Sequence, residues 1–208
     1  MSLTITDVHP VDDRYGMGRG VPIARHYINR YFEKISTRIH GSVLEFGQPT
    51  YAAGLDCRYE TMTIDENETF ATLHMDICDE AVIRVRRHHY DFIICTSVLQ
   101  LVPDPQKAID HMYELLKPGG TLVLAEKCVS MIDPWFTSID KWRFTPNGLR
   151  ALLARFARVE VSAFGNLYTM CAYLAGLPAA DMPTDKLEHH DPRYPIISIA
   201  YASSATLP

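Results

Sequence analysis

The stretch from Tyr90 to Lys127, YDFIICTSVLQLVPDPQKAIDHMYELLKPGGTLVLAEK, constrains the fold more than any other part of the chain. Phe92 to Cys95 is apolar without alternation, the pattern of a strand buried on both faces in the middle of a parallel sheet. Asp104-Pro105 then starts a helix: the carboxylate can accept from the first free N–H groups, and proline's fixed φ suits the first turn. Ala108, Ile109, Met112, Leu115 and Leu116 recur at helical spacing and predict its buried stripe. Lys117-Pro118-Gly119-Gly120 stops that helix and turns the chain into a second apolar run, Thr121 to Ala125. Strand, helix and strand in this order make one unit of a parallel sheet, because parallel strands need a crossover between them.

The rest of the chain extends the pattern. Ile23, Tyr27, Ile28, Tyr31, Phe32, Ile35 and Ile39 predict a helix that opens at Pro22 and ends at His40-Gly41. Val43 to Phe46 and Tyr59 to Ile64 read as strands, and Ala71 to Ile77 as a weaker one nearer an edge. Thr145-Pro146 repeats the cap-plus-proline device and opens a helix through Leu149, Leu152, Leu153 and Phe156. Arg158 to Phe164 alternates as a strand, Leu167 to Leu174 reads as a helix, and Ile196 to Ala202 is a final strand after a polar loop, Pro178 to Pro192. Residues 1–21 are polar and punctuated by glycine, an expected N-terminal arm, which leaves 22–208 as one domain. Alternating strands and helices predict an α/β sandwich around a mostly parallel sheet.

Composition narrows the function classes. The 208 residues are 47% hydrophobic and 22% charged, in keeping with one globular domain. A net charge of −5 argues against a nucleic-acid surface, and the basic run Arg84 to His89 reads as a solvated helix face or loop. The 5 cysteines are widely spread, and no Cys/His spacing suggests a metal site; a reduced, cytoplasmic setting is expected. The N-terminus lacks the charged and apolar regions of a signal peptide, and no apolar run approaches the ~20 residues of a membrane span.

Sheets of this kind bind ligands beyond the carboxyl ends of their strands, where the strand order reverses. The residues expected there are Glu45 to Tyr51, Asp65-Glu66, Asp76, Cys95 to Val98, and Glu126 onward. With these residues and the Tyr90–Lys127 unit in place, the chain resembles a class I S-adenosylmethionine-dependent methyltransferase from about Arg19 to Ala202. More narrowly, VLEFGQPTYA, DKWRFTPNGLRALL and HHDPRYPIISIAYA resemble a bacterial subgroup often found near glycan and natural-product pathways. The resemblance implies a Rossmann-like methyltransferase fold: a central, mostly parallel, seven-stranded sheet with helices on both faces and the last strand antiparallel. It implies S-adenosylmethionine as cofactor. The acceptor would be a sugar, glycan precursor or natural-product intermediate methylated at oxygen or nitrogen.

In that family the first strand ends in an acid and runs into a Gly-x-Gly-x-Gly loop. Glu45 and Gly47 match, while Pro49 and Tyr51 stand at the later glycine places. Glycine lets backbone approach a ligand, and proline removes an N–H donor. The loss is severe for a pyrophosphate and milder for a phosphate-free sulfonium, beside which Glu45 is electrostatically apt. By position, the resemblance implies cofactor contacts at Glu45, Gly47, Gln48, Tyr51, Asp65, Glu66, Asp76, Ile77, Cys95 and Thr96. Within that set Asp65 would take the ribose hydroxyls, with Glu66 competing, and Asp76 would lie near the adenine amino group. An Asn/Asp-Pro-Pro-Tyr motif is absent, which lowers the case for a nucleic-acid substrate.

Methyl transfer from a sulfonium depends mostly on alignment, and needs a base only when the acceptor is a hydroxyl or protonated amine. Substrate contacts are expected from Tyr15, Arg19, Trp135, Trp142 and Arg143, and catalytic candidates are His26, Asp133, Asp140 and Arg143. Trp142-Arg143 joins an aromatic face to a planar fork of donors. A homodimer is the candidate assembly. The competing readings are a methyltransferase-fold cyclase or isomerase, and a non-catalytic partner of another enzyme.

Overall fold

Seven strands form one sheet in the order β3-β2-β1-β4-β5-β7-β6 in the computed structural model, which describes residues 7–206. The strands are β1 (Gly41–Phe46), β2 (Cys57–Thr63), β3 (Leu73–His74), β4 (Tyr90–Thr96), β5 (Leu116–Lys127), β6 (Arg158–Phe164) and β7 (Ile197–Ser203). The helices are α1 (Ile23–Ile35), α2 (Ala81–Arg86), α3 (Pro105–Leu115), α4 (Pro146–Leu152), α5 (Leu167–Leu174) and α6 (Thr184–Glu188). β1 pairs in parallel with both β2 and β4, and β4 pairs in parallel with β5. β7 enters antiparallel between β5 and β6. The chain builds outward from β1 in one direction and from β4 in the other, so the order reverses between these two strands.

Alternate residues of the central strands feed two cores. Leu44, Ile93, Leu122 and Leu124 face α3 and α4 through Ile109, Met112 and Leu149. Val43, Phe92, Ile94 and Val123 face α1 and α5 through Ile28, Phe32 and Tyr173. The two expected caps form: Asp104 accepts from Lys107 N–H at 3.0 Å, and Thr145 Oγ1 from Gly148 N–H at 3.1 Å.

Several expected boundaries move. α1 stops at Ile35 because the Ser36 hydroxyl bonds the Glu33 carbonyl and a 3₁₀ turn, Ser36–Arg38, follows. Gly41 therefore opens β1 rather than closing a helix. Its φ is +75°, and a Cβ there would lie 2.3 Å from the Asp91 carboxylate that accepts from Ser42 N–H. The third strand shrinks to Leu73–His74, since Asp76 turns the chain by accepting from Cys78 N–H. Arg84 and Arg86 fall on α2, with Arg86 held by Glu60 at 2.9 Å. The expected polar loop before β7 contains α6 and a 3₁₀ turn, Ala179–Asp181.

Residues 1–6 of the expected arm lie outside the described residues. Residues 7–21 make turns that dock on the segment after α5: Val11 N–H bonds Ala175 C=O, Ala179 N–H bonds Val21 C=O, and Arg19 bonds Gly176 C=O. Gly176 has φ +75°, and a Cβ on it would meet the Asp12 carbonyl oxygen at 2.0 Å. Gly176→Ala is thus expected to undock the arm and leave the sheet intact, lowering Tm by about 5 °C. Trypsin cleavage after Arg14 or Arg19 should speed up while far-ultraviolet circular dichroism stays unchanged.

Candidate cofactor and acceptor site

Glu45 ends β1 almost fully buried, and its carboxylate is filled by the loop that follows. Oε1 accepts from Thr50 N–H and Tyr51 N–H at 3.0 Å, and Oε2 from Ala52 N–H at 2.9 Å. Burial raises its pKa, and those backbone donors together with Arg25 offset part of the rise. Glu45 is therefore an internal anchor of the loop. Tyr51 likewise turns inward: its ring stacks on Phe32 at 4.0 Å, and its hydroxyl donates to Asn29 and accepts from Arg25.

The donors that a phosphate would need are engaged elsewhere. Thr50, Tyr51 and Ala52 N–H point to Glu45, Gly47 N–H bonds Met62 C=O, and Pro49 has none. Gly47 keeps a different asset. Its φ is +80°, and nothing lies within 4 Å of where a Cβ would stand, so its backbone faces open space at the β1–β4 switch.

Beyond the carboxyl ends of β2 and β3, on the same edge of the parallel strands as Gly47, the chain carries exposed acids: Asp65, Glu66 and Asp76. Asp65 Oδ1 accepts from Asn67 backbone and side chain at 2.9 Å, and these bonds hold its carboxyl below the usual carboxylate range. Its other oxygen has no partner among these bonds. Gln48 is exposed on the loop rim and Thr96 half-buried at the end of β4. Ile77 and Cys95 are core residues: the Ile77 carbonyl bonds His111 at 2.7 Å, and burial, then Glu126, pushes the Cys95 thiol up.

Beside the end of β5, four of the expected residues meet around one that sequence reasoning did not single out, Lys127. Lys127 Nζ lies 3.1 Å from Asp133 and 4.7 Å from the centre of the Tyr15 ring, and both Lys127 and Asp133 are buried. Arg143 forks onto Asp140 at 2.6 and 2.8 Å and also donates to Met131 C=O. That ion pair holds the Asp140 pKa low. Asp140 also accepts from Asp133 N–H, and the Tyr15 hydroxyl reaches Met131 C=O at 3.3 Å. Burial, then Asp133, lifts the Tyr15 pKa to about 12. The Tyr15 ring stacks on Tyr173 of α5 at 5.3 Å.

The remaining expected residues stand apart. His26 lines a small cavity with Tyr27, Arg30, Phe164 and His190, and burial, then Arg30, lowers its pKa. Arg19 pairs with Asp181 at 3.2 Å. Trp142 gives its indole N–H to Val102 C=O at 2.9 Å with its ring partly exposed, and Trp135 is exposed on the loop above. The only legible hint of Lys127 was a charge ending an apolar strand.

A doubly wound sheet with an antiparallel seventh strand defines a Rossmann-like methyltransferase fold. The chain belongs to the methyltransferase domain family, whose model matches residues 22–158. Probable polyketide synthase 5 of Dictyostelium discoideum is 32% identical over 100 residues, 47% of this chain and 4% of that protein. The chain thus spans a small fraction of the curated relatives it matches. Among solved structures, the CurJ carbon methyltransferase is similar with TM-score 0.56 and 17% identity over 86% of this chain and 54% of that one. The N-methyltransferase NodS from Bradyrhizobium japonicum, in complex with S-adenosyl-L-homocysteine, matches with TM-score 0.56 and 15% identity over 93% of each chain. The [4+2]-cyclase SpnF matches with TM-score 0.56 and 17% identity over 97% of this chain and 88% of that one. Among the described residues no helix is long and apolar enough to cross a membrane.

Proposed function

We propose that the chain is an S-adenosylmethionine-dependent methyltransferase acting on a small biosynthetic intermediate at oxygen or nitrogen. The observation that carries this is the open backbone face of Gly47, between the Glu45-anchored loop and the acidic ends of β2 and β3. The residues fit such a cofactor: carboxylates for a ribose diol and an adenine amino group, and no N–H array committed to phosphate. Asp65 and Glu66 would hold the ribose, Asp76 the adenine end, and Gly47 would admit the amino-acid end. The bound cofactor would supply a methyl group already activated on sulfonium.

The chain's own part is to place the acceptor. Lys127, held between Asp133 and Tyr15, offers a fixed cation to a carbonyl, carboxylate or developing oxyanion. Asp140 and Arg143 fix the loop that carries Asp133. The names of the relatives support a natural-product acceptor, and the carbon methyltransferase among the solved structures makes an activated carbon the atom to test beside oxygen and nitrogen.

Calorimetric titration with S-adenosylhomocysteine tests the reading: micromolar binding is expected, and none at millimolar ligand would sink it. Asp65→Ala is expected to weaken binding more than tenfold through loss of charge-assisted hydrogen bonds. A second reading, a cyclase on the same fold, draws on the similarity to SpnF and on the altered loop. Labelled methyl transferred to acceptor supports the first reading, and a rearrangement without methyl transfer supports the second.

A further inference from the structure

Two fully buried polar side chains at the carboxyl ends of the central strands have an atom without a partner: Oε2 of Glu126 and Oε1 of Gln100. Glu126 lies on β5 beside the turn that follows β4. Its other oxygen, Oε1, accepts from Val98 N–H at 3.1 Å and Leu99 N–H at 3.0 Å, and Gln100 N–H also faces the carboxyl. Ser97, with φ +58°, bends the chain so that these N–H groups converge. Lys141 and Trp142 N–H close the roof by bonding Gln100 C=O.

Glu45 shows what a settled buried carboxylate looks like here: both oxygens are filled by backbone donors. Glu126 is filled on one side only. Both orphan atoms are acceptors, so what they lack is a hydrogen-bond donor or a positive charge. The charged and titratable groups near Glu126 are few. Cys95 faces it from β4, Lys127 follows it on β5 and is already paired with Asp133 of the next loop, and Tyr15 of the arm covers Lys127. Burial raises the Glu126 pKa to about 8, against partial opposition from the Leu99 and Val98 N–H groups. Near neutral pH the carboxyl is therefore mostly protonated and poised to release its proton to solvent when a cation comes to lie beside it.

We propose that Glu126, with Gln100 beside it, senses the charge of the bound cofactor: it ionises when the sulfonium form binds and stays protonated with the neutral thioether product. This rests on the cofactor reading above. In the balanced step, Glu126–COOH and a singly positive ligand give Glu126–COO⁻ opposite that charge, with one proton released to solvent. After the methyl has left and the ligand is neutral, Glu126 recovers a proton. The device favours the donor over the spent product, and because the donor's binding releases the extra proton the preference grows as pH rises through the range in which free Glu126 is protonated; proton counting reads that release directly.

S-adenosylmethionine and S-adenosylhomocysteine are each titrated calorimetrically into the full chain at pH 7.5, in phosphate and in Tris, whose ionisation heats differ. The sulfonium form is expected to release up to about 0.75 proton more than the thioether, since about three quarters of Glu126 is protonated at that pH. The two ligands share amino, carboxyl and adenine groups, but the sulfonium lowers the amino pKa of its own ligand, so the excess is counted after subtracting the proton difference that titration of the two free ligands gives at that pH. The excess should vanish in Glu126→Gln, and in the wild type above about pH 9.5, a check that stands even if the variant fails to fold. Equal proton counts in the wild type, or an excess that persists in the variant, overturn the proposal while leaving the cofactor reading intact. Failure of both ligands to bind overturns both.

Discussion

Replacing Glu45 by alanine is expected to lower Tm by about 10 °C and to weaken S-adenosylhomocysteine binding more than a hundredfold. The variant leaves Thr50, Tyr51 and Ala52 N–H without their acceptor, and Ala52 is fully buried. Hydrogen bonds to a charged acceptor contribute about 1.5–3 kcal/mol each. Water can replace the carboxylate at exposed Thr50, and removing a carboxylate whose burial is unfavourable returns part of the loss. The net is about 3–4 kcal/mol, which at about 2–4 °C per kcal/mol for a chain of this size gives the stated shift. Glu45→Gln keeps one acceptor oxygen and should fall between the two. A melting point within 2 °C of wild type would mean that the Tyr51–Phe32 stack and the Arg25 and Asn29 bonds hold the loop unaided. Loss of binding without loss of stability would mean instead that Glu45 meets the ligand directly.

How far the sequence could be read depended on the range of the interaction concerned. Asp104, Thr145 and the uninterrupted apolar run of β4 act on neighbours within a few residues, and their elements start or centre where the local pattern puts them, although α4 ends at Leu152 short of the expected Phe156, and Leu116 and the expected turn Lys117 to Gly120 belong to β5. β6 and α5 keep their expected limits, Arg158–Phe164 and Leu167–Leu174, for the same reason. Helix α6 falls in a stretch whose sequence predicts a polar loop, because its five residues carry too little periodicity to stand out. The site was legible in its acids, which end strands, and less so in its partners. The anchoring of Glu45 is not legible in the sequence, because the groups that fill it are backbone N–H donors, which leave no signature in side-chain identity. Lys127 acquires its meaning from Tyr15 and Asp133, and Gln100 from lying beside a carboxyl on a different strand. These are relations between distant segments, invisible until the sheet is assembled.

Glu126→Gln is expected to gain stability on the wild type as pH rises. The Glu126 pKa rises from 4.5 to about 8 on folding, chiefly through burial. Between those values the folded chain holds a proton that the unfolded chain has released, so unfolding loses protons and stability falls with increasing pH. The favourable contribution is complete below the unfolded value and is lost as pH climbs through the folded one. Each pKa unit corresponds to about 1.4 kcal/mol, so the shift sets an upper bound of about 4–5 kcal/mol, and relaxation around the carboxyl reduces it. Glutamine cannot ionise, and its amide oxygen can still accept from Val98 and Leu99 N–H. The Tm difference, variant minus wild type, should therefore increase by about 5–10 °C between pH 5 and pH 8 and level off above that. Taking the difference removes other carboxylates such as Glu45, which titrate alike in both proteins, and any fixed cost of the amide, which does not change with pH. A difference that stays flat across this range would place the unfilled oxygen of Glu126 in contact with water and leave its carboxyl ionised in the folded chain. A difference that rises only below pH 6 would assign the ionisation to an ordinary surface carboxyl, and the buried pair at the end of β5 would then be a structural feature without a proton to give.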